Sequence, residues 1–142
     1  MKSTTTTVTS YWIATLLLSA DMAFAAFSYF SRDVKIMAAF ASLGYPAYFP
    51  LILGTAKILG IVALLVPGQL RLKEWAYAGF TFTFIGAIWS HLASGQPKAV
   101  LMPALALVVL AISYACRPLE RRVTLEYDVK VYRPVVKPVP HG

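Results

Sequence analysis

Cysteine and histidine are both scarce in this 142-residue sequence, and their scarcity excludes several kinds of chemistry. The single cysteine, Cys116, cannot form a disulfide within the chain or a C-x-x-C redox pair, and its position at the end of an apolar segment indicates a packing residue. The two histidines, His91 and His141, argue against bis-histidine haem ligation within one subunit. No G-x-G-x-x-G or G-x-x-x-x-G-K-S/T sequence occurs, so a nucleotide-binding signature is absent as well.

Charged residues are also few, and this deficit indicates a membrane protein. They make up 13% of the sequence, against about 25% in ordinary soluble domains, whereas hydrophobic residues make up 58%. The formal net charge of +7 is a feature that nucleic-acid-binding proteins share. Here the basic residues flank apolar segments instead of forming one stripe. Nucleic acid is therefore not expected as a partner, and membrane topology explains the charge better.

Four apolar segments have the length of a membrane-spanning helix, which is about 20 residues. They cover residues 11–30, 47–66, 75–92 and 99–116. Short connections make consecutive helices antiparallel neighbours, so the sequence predicts an all-α, antiparallel four-helix membrane bundle over residues 11–117. A polar head, residues 1–10, precedes it, and a tail, residues 118–142, follows it. Pro103 either belongs to the first turn of the fourth helix or kinks that helix.

The longest connection, residues 31–45, has its own apolar pattern. Ile36, Phe40 and Leu43 follow i, i+4, i+7 spacing, and Gly44 is a suitable residue for a helix C-cap. The pattern fits a short helix lying at the membrane interface, although a plain loop stays open as an alternative.

The distribution of basic residues predicts the orientation in the membrane. An even number of spans puts both ends of the chain on one side. That side carries Lys2, Arg71, Lys73, Arg117, Arg121 and Arg122, and the opposite side carries Arg32, Lys35 and Lys98. Because basic loops stay inside, both termini are expected in the cytoplasm, in a multi-pass protein of the cytoplasmic (inner) membrane.

The first span has some features of a cleavable signal peptide. Lys2, an apolar run and the sequence Ala23-Phe24-Ala25 imitate one. The run is longer than a typical signal sequence, and Asp21 interrupts it just before the imitated cleavage site. We therefore expect this segment to remain as a span.

The tail has a different pattern from the rest of the chain. From Val123 to Tyr132 apolar and polar residues alternate, which is typical of a β-strand. A lone strand must dock on something, pair with another copy or stay mobile. Pro134, Pro138 and Pro140 then predict an extended, disordered tip.

Two residues of opposite charge, Asp21 and Lys57, lie near the middle of the first and second spans. A charge at that depth costs about 2.5–3.5 kcal/mol on insertion scales, and crossing a bilayer does not require one. We expect both side chains to face the bundle interior and to meet as a direct or water-bridged pair. The pair is either structural, or part of a site for a polar ligand or a proton.

Small residues at helical spacing on the second and third spans predict close packing between helices. They are Gly54 and Gly60, which share an arc with Lys57, and a stripe formed by Gly79, Thr83 and Gly86.

The third span carries two further titratable residues. Glu74 and His91 are about 25 Å apart along one helix, so they lie at opposite interfaces. Glu74, beside Trp75, is either an interfacial residue favoured by the helix dipole or part of a site. His91, after Ser90, is either an interfacial hydrogen bonder or a group that binds a headgroup, a substrate or a proton. We expect His91 and Lys57 to line one cavity without touching, with room for a small amphiphile beside the stripe.

Several of these residues also belong to a recognisable pattern. Its runs are Leu43-Gly44-Tyr45-Pro46, Leu53-Gly54-x-x-Lys57-x-x-Gly60, the segment from Leu72 to Phe80, and Gly86-Ala87-x-x-Ser90-His91. The pattern resembles the DoxX-like family of small four-helix membrane proteins. The resemblance implies a four-helix membrane bundle with motif positions at Lys57, Glu74, Ser90 and His91. The wider DoxX superfamily is associated with membrane oxidation systems, as a subunit of quinol oxidase or of thiosulfate:quinone oxidoreductase.

Two functions follow from these observations as competing hypotheses. The first is an accessory subunit that holds a quinone, a lipid or another small amphiphile for a redox partner. The second is a small proton-coupled transporter, acting as a homo-oligomer, with Asp21 and Lys57 at the midplane. A free-standing enzyme ranks third. No intrinsic cofactor or metal is expected, and quinone is the candidate ligand. The expected partners are membrane lipid, a redox subunit or a second copy of the chain.

Overall fold

The computed structural model describes residues 5–123 of the chain, and this part is helical with no β-strand. The α-helices are α1 (Thr5–Phe30), α2 (Val34–Ser42), α3 (Phe49–Leu65), α4 (Leu70–Ala93) and α5 (Leu101–Ala115). Two short 3₁₀ turns, Pro97–Val100 and Leu119–Arg121, lie on either side of α5. The predicted all-α class is therefore confirmed for the described residues. The predicted strand and extended tip lie outside them from residue 124 onwards.

The long helices pack side by side. Helix α1 packs against α3 and α5, and α4 also packs against α3 and α5, so each long helix has two long neighbours. Buried Leu18 and Met22 of α1 meet Tyr77, Phe80 and Phe84 of α4 in the hydrophobic core. Helix α2 touches α1 and buries none of its own residues.

The helix ends differ in detail from the hydropathy pattern. Helix α1 begins at Thr5 and not at Tyr11, with the Thr9 hydroxyl donating to the Thr5 carbonyl at 2.9 Å. Pro103 is the third residue of α5, so it belongs to the first turn, where its missing N–H costs little. Hydropathy marks the apolar part of a helix and does not register a polar first turn such as this one.

The connection between α1 and α3 contains a helix, as the apolar spacing indicated. Asp33 is the N-cap of α2, and its carboxylate accepts from the backbone N–H groups of Lys35 and Ile36 at 2.9 and 3.2 Å. Gly44 follows the C-cap with φ of +83°, a conformation that glycine adopts without steric cost.

Two helical segments are long and apolar enough to cross a membrane, namely Thr5–Phe30 and Pro97–Ala115. Helix α3 is apolar but has 17 residues, or about 26 Å of length. Large apolar side chains also point outwards. Phe24, Trp75, Phe82 and Trp89 are between 72% and 78% exposed in the isolated chain. Such extensive apolar exposure is typical of a surface that contacts lipid or another protein.

Basic side chains at one end of the fold bind the ends of helices. Lys73 is fully buried, and its ammonium donates to the carbonyls of Ala63, Leu64 and Val66 at the C-terminus of α3. Arg121 donates to the same Leu64 carbonyl at 3.1 Å. Cations are favoured there, because the last carbonyls of a helix lack partners and carry partial negative charge. Some of the basic residues that predict the membrane orientation therefore also stabilise the fold by binding the end of α3.

Candidate functional site

A cavity of about 580 Å³ lies between the helices, and α1, α2, α3, α4 and α5 all contribute to its lining. Its lining includes four of the residues that the sequence singled out as a site, Asp21, Lys57, Ser90 and His91. Thr83 and Gly86 of the small-residue stripe line it too. The structure thus brings Lys57 and His91 to one cavity. Their role towards a ligand stays a prediction.

Lys57 lies at the middle of the 17-residue helix α3 and is 5% exposed. Its ammonium lies 3.0 Å from the Met22 sulfur and close to two aromatic rings, with centroids 5.8 Å away for Tyr29 and 5.9 Å away for Phe84. Ring faces attract a cation at this distance. The expected burial of Lys57 is therefore observed, but with different neighbours from those expected.

The expected direct pair between Asp21 and Lys57 is wrong. Among residues 5–123 the salt bridge found is Glu74–Arg117, and Asp21 is exposed. The buried face of α1 contains Leu18, Met22 and Ala26, which places the neighbouring Asp21 about 100° away at the edge of the cavity. Met22 therefore occupies the position beside the ammonium that the sequence analysis had given to Asp21.

Hydrogen bonds tie the connections around α2 and α5 to the end of α4. The hydroxyls of Tyr45 and Ser90 are 2.6 Å apart, and Ser90 also donates to the Gly86 carbonyl. His91 Nδ1 lies 3.2 Å from the Gln96 amide oxygen, and the Gln96 amide nitrogen donates to the Ser42 hydroxyl at 3.3 Å. One end of the cavity is therefore polar and closed by internal hydrogen bonds.

An aromatic cluster covers the same end of the cavity. The rings of Tyr45 and Phe49 stack with centroids 4.3 Å apart, and Phe40 of α2 meets both rings edge-on at 6.0 Å. The cluster explains how a helix without buried residues is held over the cavity. The sequence indicated an apolar face on α2 but not the partners of that face.

Glu74 is not part of this cavity. Its carboxylate lies 2.6 Å from Arg117 Nη1 and accepts from the Tyr114 hydroxyl at 3.3 Å. Arg117 is buried, and its guanidinium stacks on the Tyr114 ring, 3.9 Å from the centroid. Glu74 and His91 lie at opposite ends of α4, as predicted, and the arrangement at Glu74 is an ion pair that joins α4 to the end of α5.

The glycines that the sequence predicted to pack closely fall into two groups, according to the space beside each one. Gly54 and Gly60 pack closely, because an added Cβ would lie 3.3 Å from the Phe30 ring at Gly54 and 2.5 Å from the Phe80 ring at Gly60. Gly79 and Gly86 have no atom within 4 Å of an added Cβ. The predicted stripe of Gly79, Thr83 and Gly86 therefore borders open grooves, and no neighbouring helix within the described chain packs on it.

A buried chain of hydroxyls was missed by the sequence analysis. Ser113 lies 2.7 Å from the Thr15 hydroxyl and 2.8 Å from the Tyr77 hydroxyl, which joins α1, α4 and α5. Isolated Ser and Thr residues within apolar helices were the available signal, since such residues often bond across helices in membranes.

Within residues 5–123 no group of three or more histidine, cysteine, aspartate and glutamate side chains is placed to hold a metal ion. The cavity presents a buried cation, a carboxylate at its edge, hydroxyls, an imidazole and apolar walls. Such a lining can bind an organic molecule by hydrogen bonding and apolar contact.

The sequence model of the DoxX-like family matches residues 13–113. This match covers most of the chain and includes every residue that lines the cavity. The chain belongs to the DoxX-like family. This membership, together with the apolar helices, identifies it as a membrane protein. No curated protein and no solved structure matches the chain.

Proposed function

We propose that this protein binds a small amphiphile, a quinone or a lipid-like molecule, in the cavity beside Lys57, and serves as an accessory subunit of a membrane redox system. The observation that supports the proposal is the cavity itself. Its volume of about 580 Å³ falls within the range of small-molecule sites, roughly 300–1,000 Å³. The superfamily's association with membrane oxidation systems supports quinone as the first candidate.

The chemistry of the lining suits an amphiphile. Apolar side chains such as Leu53, Phe82 and Met102 form walls for an apolar body. Ser90 and His91 offer polar groups at one end, and Lys57 offers a cation deeper in the helices. A few polar groups among apolar walls are typical of sites that fix both the orientation and the identity of a ligand.

The membrane placement that goes with this function is an antiparallel four-helix bundle of α1, α3, α4 and α5 in the inner membrane, with both termini in the cytoplasm. Its support is the side-by-side packing of these helices and the basic residues at one end. After Cys116→Ala, single cysteines at Thr5 and Glu120 should react with a membrane-impermeant maleimide only from the cytoplasmic side. A cysteine at Ser94 should react only from outside. Labelling of Thr5 and Ser94 from the same side would contradict this topology.

The binding proposal can be tested by filling the cavity. Gly86 lines the cavity and has open space beside it, so Gly86→Leu should occupy the site without a clash at its Cβ. Gly79 lies two turns earlier on α4 and also has open space, but it lines a neighbouring groove that reaches Lys57 from another side, so Gly79→Leu distinguishes that groove from the proposed cavity. Native mass spectrometry of each variant with added decylubiquinone or phospholipid measures retention. The wild type and Gly79→Leu should retain an amphiphile that Gly86→Leu loses.

Failure of the wild type to retain any amphiphile, or equal retention by all three proteins, would contradict the binding proposal. A redox partner that co-purifies with the wild type would support the accessory role. A homo-oligomer without a partner would argue against that role.

A small proton-coupled carrier is the second candidate, and a specific observation favours it. Asp21 and Lys57 both line the cavity and make no ion pair with each other. Ionisable residues at membrane depth often mark proton pathways, and these two act on each other without direct contact. Purified protein in liposomes should then dissipate a proton or substrate gradient, and Lys57→Met should abolish the flux. An intact gradient with wild-type protein would contradict this candidate.

A further inference from the structure

Two lysines are buried in the described part of the chain, and they have very different partners. Lys73 is fully buried, and its ammonium donates to three backbone carbonyls. Lys57 is 5% exposed, and within residues 5–123 its hydrogen-bond contact is the Met22 thioether at 3.0 Å. The ammonium of Lys73 thus has a carbonyl acceptor for each of its three N–H groups. The ammonium of Lys57 has no oxygen acceptor among the described residues.

Among the described residues, the surroundings of Lys57 supply a sulfur atom as the direct acceptor, and the Asp21 carboxylate acts on the charge only from a distance. An ammonium has three N–H donors, and a thioether sulfur is a weak acceptor. The rings of Tyr29 and Phe84 attract the charge across 5.8 and 5.9 Å, but they supply no anion. Burying a charge without a partner is costly. Lys57 therefore has the properties of a group that completes its contacts with a bound molecule.

Most of the other polar groups that line the cavity have hydrogen-bond partners or are exposed, and the Tyr29 hydroxyl is half-buried near Asp21. Tyr45 and Ser90 bond each other at 2.6 Å, and His91 bonds a glutamine at 3.2 Å. Asp21 is exposed at the rim and forms no salt bridge with Lys57. Among the described residues that line the cavity, Lys57 is thus the buried group that requires an acceptor.

Building on the proposed function, we propose that the ligand of this cavity is an amphiphilic acid whose carboxylate binds the Lys57 ammonium. Its apolar body lies along the walls formed by α1, α3 and α4. A carboxylate supplies several acceptor positions and the opposite charge, and charge-assisted bonds of this kind are roughly twice as strong as neutral ones. A neutral quinone carbonyl supplies an acceptor but leaves the charge uncompensated. Among the amphiphiles that the proposed function allows, an acid is therefore the one that Lys57 should bind most tightly.

The test compares an acid with its own ester. The probes are 11-(dansylamino)undecanoic acid and its methyl ester, titrated by fluorescence against wild-type protein in nanodiscs of neutral lipid at pH 7.5. They share the apolar body and differ in the charge of the head. The wild type should bind the acid at least about tenfold more tightly than the ester, as expected for one charge-assisted contact. This comparison needs no substitution and does not depend on how a variant folds.

Two variants then test whether the acid binds to the charge of Lys57. Lys57→Met keeps a long apolar side chain and removes the cation, so it should weaken binding of the acid roughly 10- to 100-fold and leave the ester unchanged. Lys98 is exposed, and Lys98→Met makes the same change away from the cavity, so it should alter neither affinity.

The outcomes separate this inference from the proposed function. Equal affinity of the wild type for acid and ester would overturn the inference and leave the amphiphile site standing. Tighter binding of decylubiquinone than of the acid, lost in Lys57→Met, would overturn it in favour of a neutral carbonyl ligand. Binding of none of the three probes would overturn both. An acid preference that persists in Lys57→Met would place the anion at another residue and overturn the inference.

Discussion

Gly60 gives the sharpest test of how α3 and α4 pack. A Cβ added at this position would lie 2.5 Å and 2.9 Å from two atoms of the Phe80 ring, and both distances are too short for carbon atoms. The Phe80 ring is 4% exposed and stacks on Phe84 with centroids 6.3 Å apart, and its other side borders the groove that Gly60 also lines. Gly60→Ala should therefore displace the ring or separate the two helices.

The size of the effect follows from two opposing contributions. Overpacking a well-filled core costs about 1–3 kcal/mol. Replacing a helical glycine by alanine favours the helix by about 1 kcal/mol. The net effect at Gly60 should be a loss of up to about 2 kcal/mol in the free energy of unfolding. At Gly79 an added Cβ meets no atom within 4 Å, so Gly79→Ala should be neutral or slightly stabilising. The stability of Gly54→Ala should fall between those of the other two variants, since a Cβ added at Gly54 would lie 3.3 Å from the Phe30 ring.

The assay is reversible unfolding by sodium dodecyl sulfate in mixed micelles, followed by tryptophan fluorescence of the three tryptophans. We expect Gly60→Ala to be the least stable of the three variants and Gly79→Ala the most stable. Equal destabilisation by Gly60→Ala and Gly79→Ala would refute this expectation, because the Gly79 face would then be as tightly covered as the Gly60 face.

Further predictions concern the polar groups, and the same unfolding assay checks them. Asp21→Asn should not lower the free energy of unfolding, since the side chain makes no ion pair and its charge is costly at membrane depth; a loss above about 2 kcal/mol would restore the ion pair that is not found here. Glu74→Gln should cost about 2 kcal/mol because Arg117, 5% exposed, loses its counter-charge, whereas Glu120→Gln on an exposed turn should be neutral. Ser113→Ala should cost about 1–3 kcal/mol, because the two hydroxyls that it bonds would lose a buried partner; an unchanged stability would mean that those hydroxyls find other acceptors.

Much of the fold could be predicted, because the lengths of the apolar segments and the helical spacing of apolar residues indicate which segments form helices and which faces are buried. The helical class, the helix in the first connection and the burial of Lys57 all follow from such patterns. Asp21 could not be placed correctly, because its position differs from the buried face by one residue, or about 100° of rotation. Depth along a helix can be derived from counting residues, but rotation about the helix axis depends on neighbours such as Met22.

The contacts between distant parts of the chain were beyond sequence reasoning for a related reason. The ion pair of Glu74 with Arg117 joins residues 43 positions apart, and nothing in the local pattern links them. Lys73 appeared only as a topological charge, although it is buried against the end of α3. A single sequence shows which residues are polar, and the packing of helices decides which of them meet.

The hydroxyl chain of Thr15, Ser113 and Tyr77 has a mechanical consequence. It fixes α1, α4 and α5 against one another on the side of the core where the Lys73 contacts also lie, so sliding of any one helix would break a buried bond. The cavity occupies the other half of the bundle, beneath α2, a helix that buries no residue of its own. The polar contacts that hold the long helices together and the open space for a ligand are thus kept apart. Because the cavity lies open beside Thr83 and Gly86, a ligand is expected to enter and leave without a change in the registry of the long helices.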